Sequence, residues 1–316
     1  MTVRRSVYSS GIKSEAIKPI AGVPAFTADK FAPEASSMRA EFLGRMDDPG
    51  SSKRFVWDHW HIPGQYTLIR TPAYHFFTQA LYKKFHERLL AFGREHLGCY
   101  NVTPPWLSYY VEGCRQDLHA DVPHGPWAFV YSLTDWEKRG FEGGETLILK
   151  STTLDYWRHF SEFNGVESGD LVAKVPAKFN RLLVFDPRVP HGVTPVHGVH
   201  DPRRARLVIH GWFTDPEPYV VGKLTRKQAT APLNELIGSL ETAFSRHGHL
   251  HGSLSLRFEV SPAGRASAPK LMTNTLISRE GLSSAAFLRE IRAALAAQNF
   301  PRAAGSTSVT LPLVFR

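Results

Sequence analysis

The sequence predicts a mainly β protein with flanking helices. Its core is a sandwich or barrel of short antiparallel strands, and a small α+β domain follows. Three observations carry this. From Trp106 to Phe213 the chain breaks into about eight short apolar or alternating runs separated by Gly and Pro, the signature of a closed all-β core. Ahead of them, Phe76, Phe77, Leu81, Phe85, Leu89 and Phe92 recur every three to four residues, which predicts an amphipathic helix over 73–96 packed on the outside of a sheet. Beyond Pro216-Glu-Pro218 the composition shifts, and a β-β-α-β order begins.

Residues 1–50 are broken by Pro19, Pro24 and Pro33 and hold one candidate helix, 36–48. Phe55–His61 and Gln65–Arg70 read as strands around a Pro63-Gly64 turn. His59 and His61 alternate there, as on an exposed strand face. Thr71-Pro72 starts the amphipathic helix. The core strands are expected at Leu107–Val111, Leu118–Val122, Trp127–Leu133, Thr146–Lys150, Asp170–Val175, Arg181–Phe185, His191–Val196 and Arg206–Phe213. The run from Trp127 is apolar throughout, as in a strand covered on both faces. Residues 225–246 read as a helix within a linker, 217–249. Strands at 252–260 and 268–277, a helix at 283–298 and a strand at 308–315 follow.

Within the core, His119-Ala-Asp121 and His191 supply two imidazoles and one carboxylate. That donor set holds non-haem Fe(II) and leaves coordination positions open. Strand periodicity points His119 and Asp121 the same way, and puts Arg204, Arg206, Val208, His210 and Trp212 on one face. His247, His249 and His251 form the densest histidine cluster and read as exposed imidazoles at the end of the linker.

The ordered set Tyr110, Gly113, His119, Asp121, Gly143-Gly-Glu-Thr146, Arg181-Leu-Leu-Val-Phe185, Pro190-His191-Gly-Val-Thr-Pro-Val196 and Arg206 with Trp212 resembles the Fe(II)- and 2-oxoglutarate-dependent dioxygenases, prolyl 4-hydroxylase-like group. The resemblance spans about residues 100–216. It implies a double-stranded β-helix (jelly roll), with His119, Asp121 and His191 on the metal and 2-oxoglutarate as co-substrate. It also implies an Arg206 contact to the far carboxylate, which calls for a planar, permanently charged donor. Arg204 is the alternative for that role, since the insertion 197–203 lengthens the connection. Tyr110 and Trp212 complete the co-substrate site. O2 is the oxidant, succinate and CO2 are the co-products, and ascorbate is a candidate reductant. Related halogenases carry Ala or Gly at the carboxylate position, so Asp121 implies hydroxylation, or desaturation or cyclisation. Arg115, His124 and Trp127 are candidate substrate contacts near the barrel mouth, whereas Glu145 and Thr146 read as turn and strand residues. The expected substrate is a peptide or protein residue. The alternatives are a free amino acid or small natural-product intermediate, a non-catalytic peptide-binding module, and a cupin-like isomerase that would have no use for Arg206.

The end of the chain resembles the C-terminal domain of TonB-type energy transducers, through Gly252–Val260, Pro262-Ala-Gly264, Phe300-Pro301 and Leu311–Phe315. This implies a sheet edge able to take a peptide strand, or a dimerisation module. The expected division is a dioxygenase domain over 1–216 (elaboration 1–99, core 100–216), a helical linker over 217–249 and this domain over 250–316. A transducer needs an N-terminal membrane anchor, and none is read here. The chain has no run of eighteen apolar residues and no apolar block after its basic start. Cys99 and Cys114 do not make a disulfide framework, so the expected setting is cytoplasmic. The net charge is +9, and the last hundred residues hold twelve Lys/Arg against six Asp/Glu. The basic residues are neither in blocks nor interleaved with aromatics, so a nucleic-acid partner is not supported, and the plain reading is a solvated basic surface of the kind that favours an acidic partner.

Overall fold

A computed structural model of the protein describes residues 10–13, 16–48, 50, 56–121, 124–244, 250–278 and 284–315. The chain divides into two compact units, Met1–Leu89 with Val102–Thr214, and Leu90–Asn101 with Asp215–Arg316.

The first unit is a curled antiparallel sheet with helices beside it. Its early strands are β1 (Ile17–Pro19), β2 (Ala25–Asp29), β3 (Asp58–Ile62) and β4 (Tyr66–Pro72), with helices α1 (Ala35–Asp47), α2 (Ala73–Phe76) and α3 (Gln79–Phe92). Past β5 (Cys99–Val102), most of which belongs to the second unit, come β6 (Trp106–Tyr110), β7 (Arg115–His119), β8 (Trp127–Ser132) and β9 (Thr146–Leu149). Short helices α4 (Tyr156–His159) and α5 (Ser168–Leu171) precede β10 (Val172–Val175), β11 (Arg181–Phe185), β12 (His191–Val193) and β13 (Arg206–Pro216). The strand order is β1-β2-β11-β8-β13-β6-β4-β7-β12-β9-β10, and β3 pairs with β4. In chain order the core strands therefore pass back and forth between two arrays, β11-β8-β13-β6 and β7-β12-β9-β10. This is the winding of the expected jelly roll, with β4 joining the arrays on one side.

On strand β8, Trp127 and Tyr131 share one face and are packed over, while Ala128 and Val130 of the other face line a cavity. Tyr131 meets Phe85 of α3 at 4.7 Å between ring centres and Phe31 at 5.8 Å, and Trp127 meets Phe26 of β2 at 5.5 Å. The expected helix over 73–96 is interrupted. Phe77 is extended, and the Thr78 N–H and hydroxyl both bond the Glu41 carboxylate of α1, so a side chain from another helix replaces an intrahelical acceptor. Strands β1 and β2 were not anticipated. They are short, flank Pro24, and extend the sheet by pairing β2 with β11.

Gly143 and Gly144 sit at φ of 74° and 79°. A Cβ on Gly143 would lie 1.8 Å from the Pro195 carbonyl oxygen. That close approach lets Glu145 N–H donate to Thr194 Oγ1 at 2.9 Å, while the Thr194 hydroxyl donates to Glu145 Oε2 at 2.6 Å. The diglycine thus pins the start of β9 to the chain leaving β12.

The second unit contains β14 (Tyr219–Gly222), α6 (Arg226–Phe244), β15 (Leu250–Val260), β16 (Lys270–Asn274), β17 (Ile277–Ser278), α7 (Ser284–Ala297) and β18 (Thr307–Phe315). Its sheet runs β14-β18-β15-β16, with β17 also on β15. The stretch expected as a linker supplies α6, whose Leu233, Leu236 and Leu240 are buried in this unit's core with Ile291 and Leu295 of α7. Phe244 stacks on Phe287 at 4.0 Å. Of the histidine cluster, His247 and His249 lie outside the described residues, and His251 is exposed on β15. Cys99 and Cys114 are buried free thiols. No helix among the described residues is long and apolar enough to cross a membrane.

All seven tryptophans belong to the first unit, so indole fluorescence follows that unit alone. Gly143→Ala is expected to lower its stability by roughly 1–3 kcal/mol or more, through a strained left-handed backbone and the clash with Pro195. Urea denaturation read by tryptophan emission tests this, and an unchanged midpoint would contradict it.

Candidate metal and co-substrate site

The site is built on the pairing of β7 with β12, in which His191 lies directly opposite His119. The two rings stand 4.7 Å apart between centres. His119 Nδ1 is 2.8 Å from the Asp117 carbonyl and His191 Nδ1 is 2.9 Å from the Val189 carbonyl. A carbonyl only accepts, so each Nδ1 carries the proton and each Nε2 keeps a free lone pair. Burial holds the His191 pKa below its ordinary value against the pull of Asp121, which favours the neutral, metal-binding form.

Asp121 arrives differently from the expected strand over 118–122. Strand β7 ends at His119. The Asp121 N–H instead donates to the Pro187 carbonyl at 2.9 Å, and Trp212 Nε1 donates to Asp121 Oδ2 at 3.0 Å. These bonds set the carboxylate 3.7 Å from His119 Nε2 and 3.6 Å from His191 Nε2. The three ligand atoms lie within 4.8 Å of one another, close enough to hold one metal ion.

One cavity is lined by all three residues together with Tyr110, Thr146, Arg206 and Trp212. Arg206 is 1% exposed and pairs across strands with Tyr110. Its guanidinium carbon sits 4.4 Å from the Tyr110 ring centre, and its Nη2 donates to Thr146 Oγ1 at 3.2 Å. Among the described residues, Nε and Nη1 have no hydrogen-bond partner. A buried cation with two idle donors is costly unless an anion meets it, so the residues present fit a carboxylate-bearing co-substrate as well as a metal.

Arg206, Val208, His210 and Trp212 of β13 all line the cavity, as the period of two requires. Arg204 does not. It falls in the turn Pro202–Arg204 before β13 and is exposed. Trp127 also departs from expectation. On β8, Ala128 and Val130 line the cavity, and alternation sends Trp127 to the opposite face, 1% exposed in the core. Arg115 is partly exposed, pairs with Asp117 at 3.2 Å and does not line the cavity. His124 is exposed and stacks on Trp212 at 4.6 Å. Thr146, read from sequence as a strand residue, is also the seat of Arg206. The Gly-Gly-Glu-Thr motif marked its position but not that contact.

No protein-family model matches the sequence, and no curated protein matches it. Solved structures similar to this chain include a Pseudomonas putida prolyl-4-hydroxylase, at 17% identity over 62% of this chain and 95% of that one, with a TM-score of 0.41. HygX from Streptomyces hygroscopicus, with nickel and 2-oxoglutarate bound, is 14% identical over 61% of this chain and 84% of its own, at a TM-score of 0.41. SnoN, a non-haem α-ketoglutarate-dependent epimerase from nogalamycin biosynthesis, is 11% identical over 60% and 76%, at 0.39.

Trp212→Phe keeps the ring and removes the donor to Asp121. Metal affinity is expected to fall about tenfold to a hundredfold, read by competition with a chelator, and an unchanged affinity would refute the positioning role. His210 supplies a pH test. Burial, with Arg70 and Arg206 adding to it, pushes its pKa down to about 3 from 6.5. The folded form therefore stays neutral where the unfolded form protonates. The first unit should lose stability as pH falls from 6.5 towards 3, and His210→Gln should flatten part of that slope in denaturation read by tryptophan emission.

Proposed function

We propose that the chain is a non-haem Fe(II)- and 2-oxoglutarate-dependent oxygenase that hydroxylates an unactivated C–H bond of a peptide or protein residue. One juxtaposition carries the reading. Two imidazoles and a carboxylate converge beside a buried arginine with two idle donors, in a single cavity. His119, Asp121 and His191 would hold Fe(II), a fit set by their borderline nitrogen donors and single anion. When bound, the iron supplies O2 activation coupled to decarboxylation of 2-oxoglutarate.

The chain's own residues bind and orient. Arg206 offers Nε and Nη1 to the far carboxylate of 2-oxoglutarate as a planar two-pronged donor. Thr146 fixes the third nitrogen, and Tyr110 covers the face of the guanidinium. The Asp117 and Val189 carbonyls hold both imidazoles in the metal-binding tautomer, and Trp212 keeps the carboxylate turned towards them. Phe185, 4.7 Å from the His191 ring, and Val208 line the cavity and exclude water. Asp121 occupies a ligand position itself, which supports oxygen transfer, desaturation or cyclisation over halogenation. The sheet of the second unit supports peptide capture as part of the same reading, with β16 ending its path and offering backbone groups along an edge.

Succinate formation from 2-oxoglutarate by the Fe(II)-loaded protein in air tests the proposal. Slow turnover without added substrate is expected, lost in His191→Ala. Arg206→Gln should weaken 2-oxoglutarate binding by a hundredfold or so, since a charge-assisted bidentate contact goes. Absence of both 2-oxoglutarate binding and turnover would leave a non-catalytic binding module.

A further inference from the structure

The cavity contains a second guanidinium. Arg70 of β4 lies between two indoles, its guanidinium carbon 3.7 Å from the Trp60 ring centre and 4.0 Å from that of Trp106. Aromatic rings on both faces fix the guanidinium plane and leave its edge for a planar partner. The carboxylate facing it is Asp58, whose Oδ2 is 3.5 Å from Nε and whose side chain is 53% exposed. No hydrogen bond closes at that Nε among the described residues. Arg70 lines the cavity with Tyr66 and Leu68 of its own strand.

The charges of the lining residues do not balance. They comprise two arginines, Arg70 and Arg206, against one carboxylate, Asp121. His210 is neutral near pH 7, and the two histidine ligands bind metal in their neutral form. Fe(II), Asp121, Arg206 and the 2-oxoglutarate dianion would together be neutral. That leaves Arg70, whose charge is met within the protein by the half-exposed Asp58 carboxylate at 3.5 Å, a loose ion pair that an incoming carboxylate can displace. Resting on the oxygenase reading, we infer that Arg70 is the anchor for a carboxylate of the molecule to be oxidised. The substrate is then an acid: a free amino or organic acid, or a peptide presenting an acidic side chain or its C-terminus.

The test uses full-length protein loaded with Zn(II), which is redox-silent, and with 2-oxoglutarate. It is titrated with propionate and propionamide, the free amino acids and their amides, and tripeptides with acidic or amidated side chains and ends. Tryptophan emission reads occupancy, because Trp60 and Trp106 flank the guanidinium. Binders are expected to be acids, each at least tenfold tighter than its amide, and the free or peptide arm identifies the source. Arg70→Gln should erase the preference for acids while leaving 2-oxoglutarate affinity in place. Asp58→Asn removes the competing carboxylate and should keep or strengthen acid binding, which separates a lost anchor from a misfolded β3–β4 hairpin. The inference is overturned if no acid binds, if acids and amides bind alike, if Arg70→Gln keeps the preference, or if it loses 2-oxoglutarate, which would make Arg70 a co-substrate residue. If wild type fails to take up 2-oxoglutarate, the oxygenase reading falls separately, and the comparison of acids with amides is scored without it.

Discussion

The register between β7 and β12 is the constraint on which the site depends. Side chains alternate along a strand, so a slip of one residue would turn one of the two imidazoles out of the cavity. With His191 opposite His119, both rings share a face, and each is then held by a carbonyl two residues earlier on its own chain. Neither strand delivers the third ligand. Asp121 is set by the Pro187 carbonyl and the Trp212 indole, so the carboxylate responds to the β11–β12 turn and to β13 as much as to its own loop.

Strand β13 links the two halves of the site. It carries Trp212, which donates to the candidate ligand Asp121, and Arg206, which lines the same cavity, on one face six residues apart. A guanidinium buried this deeply is paid for by what it binds. Its ring contact with Tyr110 and its bond to Thr146 satisfy one nitrogen and one face, and burial otherwise works against its charge. The arrangement is poised for an anion and disfavours an empty, dry cavity.

Much of this was legible in the sequence because the chemistry is local there. His119, Asp121, His191, Arg206 and Trp212 fall in short motifs whose spacing follows strand geometry, and the periodicity of β13 foretold which of its side chains share a face. Less legible were features decided by distant partners. The break at Phe77 depends on Glu41, 37 residues before the Thr78 it accepts from. Asp121 leaves the strand period because its backbone bonds Pro187. Trp127 resembled a mouth residue by position, but the parity of β8 places it in the core. Arg70 carries no motif at all. Only the pairing of β4 with β3 and β6 brings Trp60 and Trp106 to its two faces.

The same β7–β12 pairing bears on folding. The two imidazoles are some seventy residues apart in the chain, and every strand from β8 to β11 lies in the interval. A single ion bound to both would join segments far apart in the chain, a site the unfolded ensemble forms only at the entropic cost of closing a long loop. An ion with affinity for the native form alone stabilises it in proportion to the logarithm of its free concentration. Metal bound there would set how long the jelly roll survives heat and proteolysis, apart from any chemistry it performs.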